Sequence, residues 1–88
     1  SNWANKIDTG PFQAYNVTCG LTFTFGGLRI NEKGQVLDTD LTPISGLFAA
    51  GELVGGLFYG NYPGGTGLMA GAVFGRLAGT NAGARTTN

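Results

Sequence analysis

The stretch Gly51-Glu52-Leu53-Val54-Gly55-Gly56-Leu57-Phe58-Tyr59-Gly60-Asn61-Tyr62-Pro63-Gly64-Gly65-Thr66-Gly67 is glycine-rich and has no clear period. At about fifteen residues it is a long loop, and loops of that length are uncommon unless they are functional or disordered. The run before it, Leu47-Phe48-Ala49-Ala50-Gly51, is apolar, of strand length and closed by glycine, which reads as a buried strand. After it, Thr66 is the expected N-cap of a helix. Leu68, Met69, Ala72, Val73 and Leu77 recur at helical spacing until Gly79 or Gly83.

Further upstream, Leu28 to Asp38 places Leu28, Ile30 and Val36 among polar residues on either side of Glu32-Lys33-Gly34. This pattern predicts a β-hairpin with Gly34 at positive φ. Asp38 to Pro43 is a polar connection. From Phe12 to Thr24 the enrichment in aromatic and β-branched residues predicts two short strands around Gly20. The fold class is therefore α/β, in the form of an α+β fragment: short strands, a hairpin, one buried strand, a glycine-rich loop and a C-terminal helix.

Composition narrows what such a chain can do. It has 88 residues, 5 basic and 5 acidic side chains, no histidine, one cysteine and 17 glycines, and only 11% of it is charged, against roughly 25% in soluble domains. A chain so poor in solvating groups expects a partner. With zero net charge and scattered cations it lacks the basic patch that nucleic acid binding requires. No metal site is expected, because Cys19 stands alone without an imidazole. The missing histidine also removes Ser-His-Asp and Cys-His catalysis.

Cys19 reads as a small packing residue, and a single cysteine fits a reducing cytoplasm. Residues 1 to 10 show no basic cluster followed by an apolar run, so no signal peptide is expected. The absence of an initiator Met suggests a piece of something larger.

The glycines at 67, 71, 75, 79 and 83 fall on every fourth residue of the expected helix. Each interior glycine costs about 0.5 to 1 kcal/mol relative to alanine, so something is expected to approach that face closely. Helix packing inside a larger protein is the preferred reading. A membrane helix is excluded by the short apolar stretch and by Arg76.

Gly65-Thr66-Gly67-Leu68-Met69-Ala70 satisfies G-x-G-x-x-[GA], yet no strand leads directly into it and no acid follows at the ribose-binding distance, as a dinucleotide fingerprint requires. What remains is a helix start with free N–H groups on Gly67, Leu68 and Met69. Glu52, just after an apolar strand, can accept hydrogen bonds from ligand hydroxyls or stand as a solvated loop residue. Tyr62 can donate to a developing oxyanion near the helix terminus or serve as an aromatic plug beneath the loop.

Taken in order, Thr24-Phe25-Gly26-Gly27, the hairpin, Pro43-Ile44-Ser45-Gly46-Leu47-Phe48-Ala49-Ala50-Gly51-Glu52, Gly55-Gly56, Asn61-Tyr62-Pro63-Gly64-Gly65 and Gly75-Arg76-Leu77-Ala78-Gly79 resemble the C-terminal end of the fumarate reductase/succinate dehydrogenase flavoproteins. Within that family the chain most resembles the FAD-dependent tricarballylate dehydrogenases, and its Tyr-Pro-Gly element also looks like that of 3-ketosteroid dehydrogenases. The resemblance covers roughly residues 14 to 84.

The resemblance implies FAD held between a dinucleotide fold outside this chain and the present segment. Residues 1–13 would be a linker or domain remnant, 14–84 the C-terminal part of the FAD-binding domain, and 85–88 a frayed tail. Glu52, following Gly51, matches the glutamate that bonds the ribityl region. Gly67 and Leu68, after Thr66, match positions whose amides meet the flavin pyrimidine edge. The implied partners are the remainder of the flavoprotein, a small carboxylate substrate and an electron-transfer protein.

Two departures bear on substrate. Phe23 stands where fumarate reductases of the family carry a substrate-binding His, and Tyr62 stands where they carry a proton-donating Arg. Tyr62 becomes the catalytic candidate through its likeness to the ketosteroid-like members, where a tyrosine polarises a substrate carbonyl. Arg29 and Arg76 are candidate carboxylate clamps or structural ion-pair residues. The rival readings are a noncatalytic glycine-rich module presenting Phe58, Tyr59 and Tyr62, and an assembly fragment that docks onto a separately encoded dinucleotide domain.

Overall fold

The computed structural model describes residues 2–85. Ser1 and residues 86–88, most of the expected tail, lie outside the described residues. Three regular elements are present among the described residues: β1 (Gln35–Leu37), β2 (Pro43–Phe48) and α1 (Thr66–Gly83). β1 and β2 pair antiparallel, with Gln35 opposite Phe48 and Leu37 opposite Pro43. The unequal spacing is a bulge, and Gly46 carries it at φ 79°.

The hairpin read from the sequence forms. Ile30 bridges Val36, Gly34 sits at φ 79°, and Asn31 Oδ1 accepts the N–H groups of Lys33 and Gln35, both at 3.0 Å. A second hairpin, unforeseen, joins β1 to β2. Asp38 Oδ1 accepts the N–H groups of Asp40 and Thr42, each at 2.9 Å, and this Asx-type closure turns the polar connection into a tight reversal.

Three expectations are corrected. The two strands around Gly20 are absent: residues 11–24 form no strand, Tyr15, Val17 and Leu21 are all well exposed, and Cys19, read as a packing residue, is exposed with them because the arm packs against nothing there among the described residues. Aromatic and β-branched residues make a strand only where an edge offers hydrogen bonds, and no such edge lies beside this arm. The buried strand at 47–51 is shifted and exposed. β2 ends at Phe48, Leu47 is 44% exposed, and only Ala49, past its end, is buried, because α1 touches β2 without covering its length.

The third correction concerns the helix cap. Gly65, at φ 82°, is the N-cap and provides no side chain for capping, while Thr66 is the first helical residue. The Thr66 hydroxyl bonds back to the Pro63 carbonyl. The helix runs to the later of the two expected ends, Gly83. Arg85, expected as part of the tail, donates from Nη2 to Ser45 Oγ at 3.0 Å.

The apolar stripe of α1 faces outward, with Leu68, Met69 and Val73 all more than half exposed. The face turned inward is Ala70, Phe74 and Ala78. A small residue is required at 78 because the hairpin turn comes very close there: a Cβ on Gly34 would stand 2.7 Å from the Ala78 Cβ. Asn81 Nδ2 adds a bond to the Lys33 carbonyl at 3.2 Å.

The core is small: Val36, Ala49 and Val54, with Ile30 against them. Below it the loop is tied to the upstream arm by two backbone bonds, Leu28 N–H to Leu53 O at 2.8 Å and Gly55 N–H to Leu28 O at 3.0 Å. Gly27 and Gly55 cross there with backbones so close that a Cβ on either would overlap the other strand. The radius of gyration is 19.2 Å, against about 12 Å for a compact domain of this length. This elongation accords with the partner that the composition anticipates.

Candidate functional site

The Gly27–Gly55 crossing brings the Thr24-Phe25 segment beside the glycine-rich loop. Phe23 and Phe25, two residues apart on extended chain, point to the same side and meet rings from that loop. Phe23 lies 4.5 Å from Tyr62 and Phe25 lies 5.9 Å from Phe58, centroid to centroid, while Phe58 meets Tyr62 edge-on at 5.0 Å. Tyr62 is thus wedged among three phenylalanines.

Its hydroxyl leaves the ring cluster at the amino end of α1. The Gly67 N–H donates to Tyr62 Oη at 2.7 Å, satisfying a first-turn amide that has no intrahelical acceptor. Thr66 N–H bonds Pro63 O and Met69 N–H bonds Gly65 O. Of the three amides expected to be free, those of Gly67 and Met69 are therefore taken, because Tyr62 folds over the terminus and Gly65 opens the helical ladder, and that of Leu68 remains.

A cleft of about 200 Å³ opens between these parts, lined by Phe23, Glu52, Phe58, Tyr62, Gly67 and Ala70 among others. It is smaller than the roughly 300–1,000 Å³ of a usual ligand pocket. Glu52 Oε1 accepts the Thr24 N–H at 3.1 Å, which steadies the carboxylate and leaves Oε2 for another donor. Gly51 also lines the cleft, at φ 92° with nothing within 4 Å of where a Cβ would stand, so the backbone there is open to a ligand.

Of the residues proposed from the sequence, Gly51, Glu52, Tyr62 and Gly67 meet in this cleft. Thr66 does not line it and belongs to a neighbouring apolar groove with Met69 and Val73, while Leu68 is 76% exposed beside it. Neither Arg29 nor Arg76 lines the cleft. Arg29 faces a separate hollow with Glu32, and Arg76 is exposed on α1.

Sequence reasoning missed Phe25, Leu57 and Ala70 as site neighbours, and Phe23 entered only as a departure from a pattern. The Thr-Phe-Thr-Phe alternation was the available signal for the paired rings. Of the three aromatics read as an exposed surface, Tyr59 is fully exposed, whereas Phe58 and Tyr62 are half-buried in the cluster. The G-x-G-x-x-A match at residues 65–70 is preceded by loop rather than strand, as the sequence indicated.

An extended arm, a glycine crossing, a carboxylate just past a strand and a helix terminus capped by Tyr62 meet around the cleft. The chain belongs to the family described as the FAD binding domain, matched over residues 2–68, within the fumarate reductase/succinate dehydrogenase group of flavoproteins, and its cofactor is FAD.

Among its relatives, the chain is 46% identical over 79 residues to the NADH:fumarate oxidoreductase of Klebsiella pneumoniae (strain 342), covering 90% of this chain and 8% of that protein. It is 45% identical over 80 residues to the urocanate reductase of Eggerthella lenta, covering 91% of this chain and 13% of that one. A solved flavocytochrome c3 fumarate reductase in its open conformation is 50% identical with a TM-score of 0.65, over 68% of this chain and 11% of that chain. The chain therefore spans about a tenth of the length of these relatives.

The residues present fit part of an FAD molecule. The second oxygen of Glu52 suits a ribityl hydroxyl, the uncovered backbone at Gly51 admits close approach, and the amino end of α1 favours negative charge. No helix among the described residues is long and apolar enough to cross a membrane.

Proposed function

We propose that this chain is the C-terminal portion of an FAD-dependent oxidoreductase that exchanges a hydride between flavin and a C–C bond activated by a carboxyl or carbonyl group. The observation that carries this reading is the meeting of Gly51, Glu52, Tyr62 and Gly67 in one cleft at the amino end of α1. Relatives named for fumarate and urocanate reduction support it. The resemblance offers three substrate types: a tricarballylate-like tricarboxylate, a fumarate- or succinate-like acid, and a ketone.

FAD, when bound, gives or takes the hydride. The protein's contribution is placement and charge. Glu52 holds a hydroxyl of the cofactor chain, and Gly67 and Leu68, following Thr66, set the helix terminus beside it. The partial positive charge of that terminus stabilises negative charge placed there. Tyr62 accepts from Gly67 and so keeps its own O–H as a donor for a substrate oxygen in the cleft.

The remainder of the flavoprotein covers the outward stripe of α1, and residues 1–13 are the linker to it or a remnant of its domain. Residues 14–84 complete the FAD-binding domain. The segment alone has no turnover, because the part of the site that holds the cofactor phosphates lies outside it. A reducing cytoplasm suits the lone Cys19, and an electron-transfer partner supplies or drains the flavin.

The test is complementation. The 88-residue chain is mixed with the dinucleotide-binding part of its parent flavoprotein, bound-flavin absorbance is followed, and Glu52→Ala serves as control. Flavin retained by the mixture and weakened in the control is the expected result. Cooperative unfolding of the 88 residues alone, with no flavin bound in the mixture, overturns the reading in favour of an autonomous interaction module.

A further inference from the structure

The cleft combines three features that bear on what lies against it. Its wall is aromatic and apolar, with Phe23, Phe58 and Tyr62 packed ring to ring at 4.5 and 5.0 Å and Leu57, Val54 and Ala70 completing it. Among the described residues no cation lines it: Arg29 lies in another hollow, and Lys33 and Arg85 line a third beside Ser45. Its one charged group among the described residues is Glu52, whose carboxylate is held in place by the Thr24 N–H.

A carboxylate brought against this wall would lose water and meet no full positive charge, only the partial charge of the α1 terminus, whose Gly67 N–H is already taken by Tyr62 Oη. It would also face the negative ring faces and the like charge of Glu52. A flat uncharged group loses none of this and gains ring contact. The one side-chain hydroxyl donor in the lining besides Thr24 is Tyr62, whose oxygen is tied to Gly67 N–H, and a neutral carbonyl or aryl oxygen suits it.

We infer that this segment is a specificity wall for the uncharged, flat end of the substrate, an aryl or enone group. A substrate carboxylate, where there is one, sits against the part of the enzyme outside this chain. The inference rests on the flavin reading above and selects among its three substrate types. It disfavours acids charged at both ends, tricarballylate and fumarate included. Phe23 and Phe58 then act as positioning residues that hold the Tyr62 ring, and Tyr62 touches the substrate.

The test uses the FAD-loaded full-length flavoprotein and reads ligand binding from the perturbation of the oxidised flavin absorbance, which is independent of the direction of hydride flow. Cinnamate is the probe with an uncharged flat end, and fumarate is the probe charged at both ends. Cinnamate is expected to bind at least about tenfold more tightly, the worth of one good aromatic contact.

Tyr62→Arg, which puts a cation in the wall, should shift the ratio of the two Kd values toward fumarate by about tenfold. Phe58→Leu keeps the wall apolar and serves where the arginine variant fails to retain flavin. It should weaken cinnamate several-fold and leave fumarate unchanged. Fumarate binding as tightly as cinnamate in the unsubstituted enzyme overturns the inference and leaves the flavin reading standing. A full-length protein that binds no flavin overturns both.

Discussion

The Tyr62 hydroxyl occupies the amino end of α1, accepting the Gly67 N–H at 2.7 Å. It has room there only because residue 67 is glycine. A Cβ at that position would lie inside the contact distance of the phenol oxygen. Loop, helix and ring cluster are therefore locked through one hydrogen bond, and the candidate catalytic side chain is oriented by the terminus it caps.

Gly67→Ala is the direct test of that lock. The added methyl expels the hydroxyl and loosens Tyr62 from Phe23 and Phe58, so stability should fall by about 1 to 3 kcal/mol, the usual range for overpacking. Denaturant unfolding of the FAD-loaded flavoprotein measures it. An unchanged midpoint would mean that the helix terminus does not depend on Tyr62.

Tyr62→Phe removes one oxygen and keeps the ring. If the phenol donates to the substrate, kcat should drop by about 10²- to 10³-fold, the cost of losing one preorganised donor. Flavin content should be unaltered. Steady-state kinetics with a flavin absorbance check decides it, and a change confined to KM would reduce Tyr62 to a binding contact.

Glu52→Ala should weaken FAD retention by at least about tenfold, since a hydrogen bond to a charged group contributes about 1.5 to 3 kcal/mol. Glu52→Gln, still an acceptor, should lose less. Equilibrium dialysis against free FAD separates the two.

The crossing of Gly27 and Gly55 makes a further prediction. Alanine at either position meets backbone rather than a yielding side chain, so each should cost several kcal/mol, at or above the upper end of the overpacking range. Gly75→Ala on α1 has open space around it among the described residues. It should raise the helix content of the isolated chain, where alanine is favoured by about 0.5 to 1 kcal/mol. In the full-length flavoprotein the same change should be destabilising if that glycine face packs against another helix. Circular dichroism of the first and thermal unfolding of the second test the pair.

Much of the site was legible in the sequence because its chemistry is local. The glycine-rich run after an apolar stretch pointed to a loop that meets a helix terminus, and Glu52 and Tyr62 stood out as its polar residues. Gly34 at positive φ followed from the turn position alone. The strands around Gly20 did not form, because β propensity is realised only against a partner edge, and none borders the arm of residues 11–24. The stripe of Leu68, Met69 and Val73 was a sound helix signal. It misled about the buried face, since the hairpin turn at Gly34 accepts only residues as small as Ala78.

By itself the sequence determined the helix, the turn at Gly34, the long loop and the family, because these depend on backbone preference and on residue order. Only the tertiary structure decided that Phe23 and Phe25 meet Phe58 and Tyr62, that Glu52 is steadied by Thr24, and that the Tyr62 hydroxyl caps α1 through Gly67. The ring contacts and the Glu52–Thr24 bond join residues far apart in the chain and depend on two glycines, 27 and 55, that allow two backbones to cross at a distance that no side chain would permit, whereas the Tyr62–Gly67 bond spans five residues and depends on the fold of the loop itself.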